Sequence, residues 1–392
     1  MAGLAHVLSG DPLAGRGEKV FQVHTGAEAL EPYQLRYSDA SALARVAPGR
    51  SVLVGSRGFT SIRQGRTGDD FGQAPARGVN SQFFSVFDVP FVEGGPWLTS
   101  DDVSGSPLTV VTEALAVDLY GSAKAAIGQT VVLGGSAFLV SGVISRSWAP
   151  APKFFDMESG FFSKPEDVFL PLSAIPRLGE PEKTFITFTC PSGAEFPTAP
   201  TLLSSQCLWV TTWFELTSDE QKSIAANRVD QFKIQGGRRA FSPASLDSSL
   251  AIIKMANVVP ESVTIYSHLS WIFLVLCLMN TSGLLLARYL RRTKELGVRR
   301  ALGATRSAVA LHLITESTSI TVFAGAFAVV VCWLGVTAAQ HMPFEYARLV
   351  QFNWLTLILL IALSLLSGAF CAAVPAIIAA TRAPASLVRS GS

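Results

Sequence analysis

The run LSWIFLVLCLMNTSGLLLARYL fills residues 269–290 and holds no charge until Arg288. At 1.5 Å of rise per residue, a helix of this length crosses a hydrocarbon core ~30 Å thick. Two more such runs follow, STSITVFAGAFAVVVCWLGVTA at 317–338 and LTLILLIALSLLSGAFCAAVPAIIAA at 355–380. Three uncharged stretches in one third of a 392-residue chain argue against the buried helices of a soluble protein. They predict three transmembrane α-helices, at 266–290, 313–338 and 355–381.

Flanking charge orients them. Between the first two runs lie Arg288, Arg291, Arg292, Lys294, Arg299, Arg300 and Arg306, against Glu295 and Glu316. The connection 291–312 is therefore expected in the cytoplasm, and so is the tail 382–392 with Arg382 and Arg389. The loop 339–354, with only Glu345 and Arg348, is expected outside. Residues 1–265 then also lie outside.

Composition fits that division. Charged residues are 15% of the chain, against roughly 25% in soluble domains. Mean hydropathy is +0.38, which excludes a disordered chain. Residues 1–265 hold 21 Lys and Arg against 26 Asp and Glu, net −5, whereas 266–392 hold 10 against 3, net +7. The basic part is also the apolar part, so it points to a membrane and not to nucleic acid.

Residues 1–265 read as one mixed α+β domain. Strands are expected at 51–56, 107–112, 130–145 and 183–190, and helices at Glu113–Leu119 and Ser218–Phe232. Gly134-Gly135 between two strand-like runs marks a hairpin. Cys190 and Cys207, 17 positions apart, are able to pair in an oxidising compartment, or stay as two thiols. Cys277, Cys332 and Cys371 sit in apolar runs as small apolar groups. In the spans, Ala324/Ala328 and Ser364/Gly368/Ala372 offer small faces for helix contact, and Asn280, Thr281 and Ser282 offer hydrogen bonds between helices.

Catalytic chemistry finds no support. Within these residues there is no Gly-x4-Gly-Lys-Ser/Thr loop for ATP, no Gly-x-Ser-x-Gly elbow and no Cys/His spacing for zinc. His312 and Glu316, four apart, read as coincidence. Asp69-Asp70, Asp101-Asp102 and Glu166-Asp167 read as solvated loop charges.

The cytoplasmic connection is the most informative segment. ELGVRRALGATR occupies 295–306. Glu295 and Arg299 stand at i, i+4, where they pair on a helix. Leu296 and Leu302 provide apolar contact beside Arg299 and Arg300, and Gly297 and Gly303 allow a break or a close approach. A purely topogenic basic flank explains the arginines but not a short helix with two glycines.

This segment, extended through SAVALHLITES to 317, resembles the cytoplasmic stretch of permeases of the MacB/FtsX type of ABC transporter. Leu313, Ile314 and Glu316 fit the second part of that pattern in character. VNSQFFSVFDVPFVEGGPW at 79–97 is similar to the family's Val-x3-Phe-Phe motif, with Asp88 where a Gly often sits. The stretch 107–144 resembles its strand, helix, Gly-bounded turn and hairpin, with Thr112 in a Ser place and Gly121 and Gly128 at the turn. DVFLPLSAI at 167–175 resembles a further strand.

The resemblance implies a ferredoxin-like porter subdomain with a smaller β-rich one, outside a bacterial inner membrane. It implies a non-catalytic subunit in which Glu295, Leu296, Gly297, Arg299, Arg300, Leu302 and Gly303 couple to a separate ABC ATPase. ATP and magnesium would sit on that ATPase, and this chain would bind no cofactor. Two permeases, identical or related, would form the dimer, with a periplasmic adaptor and an outer-membrane channel as further partners. Motion driven by ATP would pass through the spans to the outer domain (mechanotransmission), most directly for export. A regulator of a cell-wall hydrolase, a membrane-anchored sensor and a non-functional truncated permease are the alternatives. Family members carry a helix ahead of the outer domain. HVLSGDPL at 6–13 looks like sequence that follows it, so the chain as written is expected to lack its first span.

Overall fold

A single 15-residue strand, β2 (Arg50–Gln64), links the two halves of the first unit. The computed structural model describes residues 11–256 apart from 14, 25–32, 65–69, 147, 149, 151, 157–158, 161, 164, 179–183 and 232–244. Beyond these it describes 261–291, 298, 302–303, 305–341 and 354–381. It divides into two units, Val7–Val258 and Val259–Ser392 together with Met1–His6.

One half of the first unit is made of two β-α-β pieces far apart in sequence. β1 (Val20–His24), α1 (Tyr37–Val46) and the start of β2 form the first. β10 (Val210–Glu215), α6 (Asp219–Gln231) and β11 (Ser245–Ser248) form the second. Their strands run β11-β1-β10-β2, every neighbour antiparallel. That is the split β-α-β arrangement of ferredoxin-like domains. Both helices cover the same face: Leu43 of α1 and Ala225 and Val229 of α6 share a core with Val23 and Phe214. Trp213, one residue from Phe214, belongs to the core on the opposite face, as side-chain alternation along a strand requires.

The other half grows from the far end of β2. It contains β3 (Asp70–Val79), β5 (Leu108–Thr112), β6 (Thr130–Leu133), β7 (Ser136–Ile144) and β8 (Val168–Pro171). The pairings β2-β3-β8-β5-β7-β6 return to β2 and close a ring. All six strands send apolar side chains into one core, among them Ile62, Ala76, Val111, Leu133, Phe138 and Val168. The neighbours Val110, Ile144 and Phe169 face out of the ring. There they meet an aromatic layer of Phe83 and Phe84 from α2 (Gln82–Val86), Phe87, and Phe154 and Phe155 from the β7–β8 connection. β4 (Phe91–Gly94) extends β7, β9 (Thr184–Ile186) fills the edge of β2 between β10 and β6, and the short helices α3 (Thr99–Ser104) and α5 (Ala123–Ala126) precede β5 and β6.

Local signals hold. Gly134 and Gly135 turn the β6–β7 hairpin with φ of +52° and +85°, the left-handed pair that a two-residue turn uses. Thr112 caps α4 (Glu113–Tyr120), its hydroxyl accepting from the Leu115 N–H at 3.4 Å. Asp88 has a φ of +51°, a left-handed backbone at the place where the resemblance puts glycine. The sulfurs of Cys190 and Cys207 are joined.

Glu166 is no solvated loop charge: it is wholly buried beside Arg77, and Asp167 accepts from the Thr112 hydroxyl at 3.2 Å. Asp102 is likewise engaged, accepting from Ser81 and, at 2.7 Å, from the Trp97 indole. Asp69 lies outside the described residues, as does the Asp70 side chain.

The second unit holds α8 (Glu261–Arg291), α9 (Arg306–Gln340) and α10 (Trp354–Thr381). Ile265–Arg288 and Thr321–Ala338 are long and apolar enough to cross a membrane. In α10 the described apolar segment is the shorter Leu357–Phe370. α9 begins seven residues ahead of the span read at 313, inside the stretch read as cytoplasmic. α10 packs against both other helices. Its Ser364 and Gly368 meet Gly325 and Thr321 of α9, while Ala324 of α9 is exposed.

Candidate coupling segment

The chain between α8 and α9 is where basic charge concentrates. Of the residues singled out there, Glu295, Leu296, Gly297, Arg299 and Arg300 lie outside the described residues. Leu302 and Gly303 are described, and so is Val298.

Val298 and Leu302 are joined by one helical hydrogen bond, the Leu302 N–H donating to the Val298 carbonyl at 3.0 Å. Residues four apart on a helix share a face, and here both side chains stand out: Val298 is 55% exposed and Leu302 83%. Gly303 follows with φ +100°, which a residue with a Cβ adopts only at a cost, and stops the turn. Thr305 then starts α9, its hydroxyl accepting from the Ala308 N–H at 3.2 Å. Val298 and Leu302, joined by that bond, are thus set off from the long helix by a glycine and a threonine cap, and both present apolar side chains.

Val298 was not singled out from the sequence. Its signal was the i, i+4 spacing to Leu302, hidden by the more conspicuous leucine at 296. Among the described residues no group of three His, Cys, Asp or Glu is placed to hold a metal ion.

The fold and the segment together define a membrane protein with a large split β-α-β and barrel domain ahead of its membrane helices, and a short exposed turn between the first two of these. Residues 6–203 match the family model of the MacB-like periplasmic core domain, and residues 268–384 that of the FtsX-like permease C-terminal domain. The chain belongs to the MacB/FtsX-type ABC permease family. It is 21% identical over 312 residues to the pyoverdine export ATP-binding/permease protein PvdT of Pseudomonas entomophila (strain L48), covering 79% of this chain and 42% of that one. To the macrolide export ATP-binding/permease protein MacB of Aggregatibacter actinomycetemcomitans it is 23% identical over 302 residues, covering 74% and 39%. The chain thus spans about two fifths of the length of the curated relatives it matches.

Among solved structures, the periplasmic region of MacB from Actinobacillus actinomycetemcomitans aligns at 14% identity with a TM-score of 0.41, over 62% of this chain and 95% of that one. The extracellular domain of the ABC-type transporter YknZ from Gram-positive bacteria aligns at 15% identity and a TM-score of 0.37, over 58% and 98%.

Proposed function

We propose that this chain is the permease subunit of an export-type ABC transporter in a bacterial inner membrane, driven by a separate ATPase. The Val7–Val258 unit works in the periplasm, and three spans carry motion to it. ATP and magnesium sit on the partner, and two permease chains stand side by side. The observation that carries this reading is the Val298–Leu302 pair, exposed on a glycine-stopped turn within the most basic connection of the chain.

Two exposed apolar side chains on one turn suit a groove in a partner, and the surrounding arginines suit an acidic rim. A few buried anchors dominate such contacts, at ~2 kcal/mol or more each. Rim charges tune association and respond to salt. The relatives' names, which pair ATP binding with a permease and specify export, support the choice of partner and direction.

Co-purification of the ATPase with tagged permease tests this. Leu302→Asp removes the ATPase and transport while the permease stays inserted, and Arg300→Ala weakens recovery mildly and in a salt-dependent way. Full ATPase recovery and activity with Leu302→Asp would sink the docking role and leave the arginines as topology signals only.

A further inference from the structure

Four charged side chains are buried together on the outer face of the ring. Arg77 of β3, Lys153, Asp156 and Glu166 are each 3% exposed or less. Arg77 donates from Nε and Nη2 to Glu166 Oε1 at 2.9 and 2.7 Å, and from Nη1 to the Gly55 carbonyl at 2.9 Å. Its Nη2 also pairs with Asp156. Lys153 Nζ reaches Glu166 Oε1 at 2.8 Å, Asp156 Oδ2 at 3.2 Å and the Ser163 hydroxyl at 3.3 Å. Both cations stand near the Phe155 ring, at 5.6 and 5.8 Å from its centre. Glu166 Oε2 is buried and accepts no hydrogen bond among the described residues.

The partners come from two places. Lys153, Asp156, Ser163 and Glu166 all belong to the connection 145–167 between β7 and β8. Arg77 and Gly55 belong to the sheet, at the point where the β2–β3 register shifts between Val54 and Arg57. The connection is therefore strapped to the barrel by charge where β2 passes from one half of the domain to the other.

Stability over an apolar core of the same volume does not account for this choice. Taking an ion out of water costs several kcal/mol, and apolar side chains of similar volume often serve as well or better. What ions add is position, because a forked guanidinium satisfies its acceptors in one geometry only. An aromatic layer alone is less particular. The same strap contributes Phe154 and Phe155 to the layer that also contains Ile252 and Ile253 of α7 (Ser249–Met255). In the chain α7 is the last element before α8.

We propose that Arg77 and its three charged partners form a latch that holds the 145–167 strap, and through its aromatic layer α7, in a single position, so that displacement of α7 is passed to the barrel rather than absorbed. Arg77 acts here as a positioning residue. The transmission half of this inference rests on the permease reading above; the latch half does not.

Amide exchange of the full chain in nanodiscs tests the latch without any ATPase. Two variants are compared with the parent. Arg77→Met/Lys153→Met/Asp156→Leu/Glu166→Leu removes all four charges, and Arg77→Lys keeps the charge and removes the fork. Both are expected to melt within a few degrees of the parent, or above it. Both should exchange the amides of 148–163 about tenfold faster, with β5 and β7 unchanged. If the fourfold variant does not fold, Arg77→Lys decides alone. Exchange within about twofold of the parent overturns the latch, and so does Arg77→Lys melting far below it, which marks a stability element.

Transmission is read in the same Arg77→Lys protein with its ATPase. Normal ATPase recovery with transport lost supports it, and full transport despite a loosened strap overturns it. A parent that recovers no ATPase at all would instead count against the permease reading.

Discussion

Gly368 of α10 faces Thr321 of α9 so closely that a Cβ on the glycine would lie 2.7 Å from Thr321 Cγ2 and closer still to its hydroxyl oxygen. One turn away the roles reverse. A Cβ on Gly325 of α9 would lie 2.7 Å from the Ser364 hydroxyl of α10. The two antiparallel helices are thus keyed by two glycines and two hydroxyl residues, as close helix approach in lipid favours. Gly368→Val should lower the stability of the detergent-solubilised chain by ~1–3 kcal/mol, the usual cost of overpacking. Gly283→Val in α8, where a Cβ meets nothing within 4 Å, serves as the control and should cost under ~1 kcal/mol. Equal thermal melts for the two variants would remove the keyed contact from the account.

The Cys190–Cys207 bond closes an excursion whose base is also held by backbone bonds between Thr189 and Leu208, at 2.7 and 2.9 Å. A loop of this size gains ~3 kcal/mol from its cross-link in the chain-entropy model. Because the backbone pair already holds the ends, Cys190→Ala/Cys207→Ala should lose ~2 kcal/mol and still fold. Mass spectrometry of protein alkylated without reduction should find both sulfurs protected. Two freely alkylated thiols in protein taken from cells would place this excursion in a reducing compartment.

Asp88 combines a left-handed backbone with an exposed ion pair. Its carboxylate pairs with Arg16, whose Nη1 also reaches Glu215 Oε1 at 3.2 Å. Asp88 is largely exposed, so the pair itself is worth little. Asp88→Gly should therefore melt within about 1 kcal/mol of the parent, trading the ion pair for backbone freedom. Asp88→Val should lose ~2 kcal/mol, because a branched side chain resists positive φ. Chemical unfolding of the two variants side by side measures this, and a valine as stable as the glycine would contradict the backbone argument.

The buried charges make the domain acid-sensitive. Burial alone would raise the Asp156 carboxyl, but the Arg77 guanidinium and the Lys153 ammonium outweigh it and bring it down to about 2. Glu166 is lowered against burial by the same two cations. A carboxylate held below its unfolded value contributes stability above that value and loses it as pH falls toward the folded one. For Asp156 the window runs from the ordinary 3.8 down to about 2, and it amounts to ~2 kcal/mol. Melting temperature should fall steeply between about pH 4 and 2. Asp156→Asn should start lower and fall less over that range, and parallel curves for the two would count against the assignment.

What the sequence revealed was local, and what it concealed was not. Hydropathy marked the three long helices, since a run such as 269–290 needs no distant partner to be read. Gly134-Gly135 declares a turn by its own chemistry. The closing of the ring was hidden, because β2 meets β6 some 70 residues away, at Ile62 and Leu133. β3, DFGQAPARGV, shows neither alternation nor a β-branched run apart from its last residue, and takes its shape from neighbours on both edges. Glu166 looked solvated because Pro165 and Asp167 flank it, while the guanidinium that buries it is 89 positions earlier. In the coupling segment charge and glycines were legible, while the i, i+4 spacing of Val298 and Leu302 was masked by the leucine at 296.

Membrane topology separates the permease reading from any reading with the large domain inside the cell. The charge rule predicts 291–312 in the cytoplasm, with seven basic residues against two acidic ones around it. The disulfide-bonded excursion suits an oxidising compartment for the first unit. Ser100 is exposed at the start of the short helix Thr99–Ser104, so a thiol there is open to reagents. Ser100→Cys and Arg300→Cys, made one at a time, are treated in intact cells with a membrane-impermeant maleimide. Cys277 and Cys332 lie in the apolar helices and give a low background when the membrane is intact. Ser100→Cys should label fully in intact cells once the outer membrane is opened, and Arg300→Cys only after the inner membrane is lysed. Because 269–290 is the single apolar run between the two positions, they must lie on opposite sides if it spans. Labelling of both from outside would mean that it does not span. Labelling of position 300 alone would invert the charge argument and put the coupling turn out of reach of any ATPase.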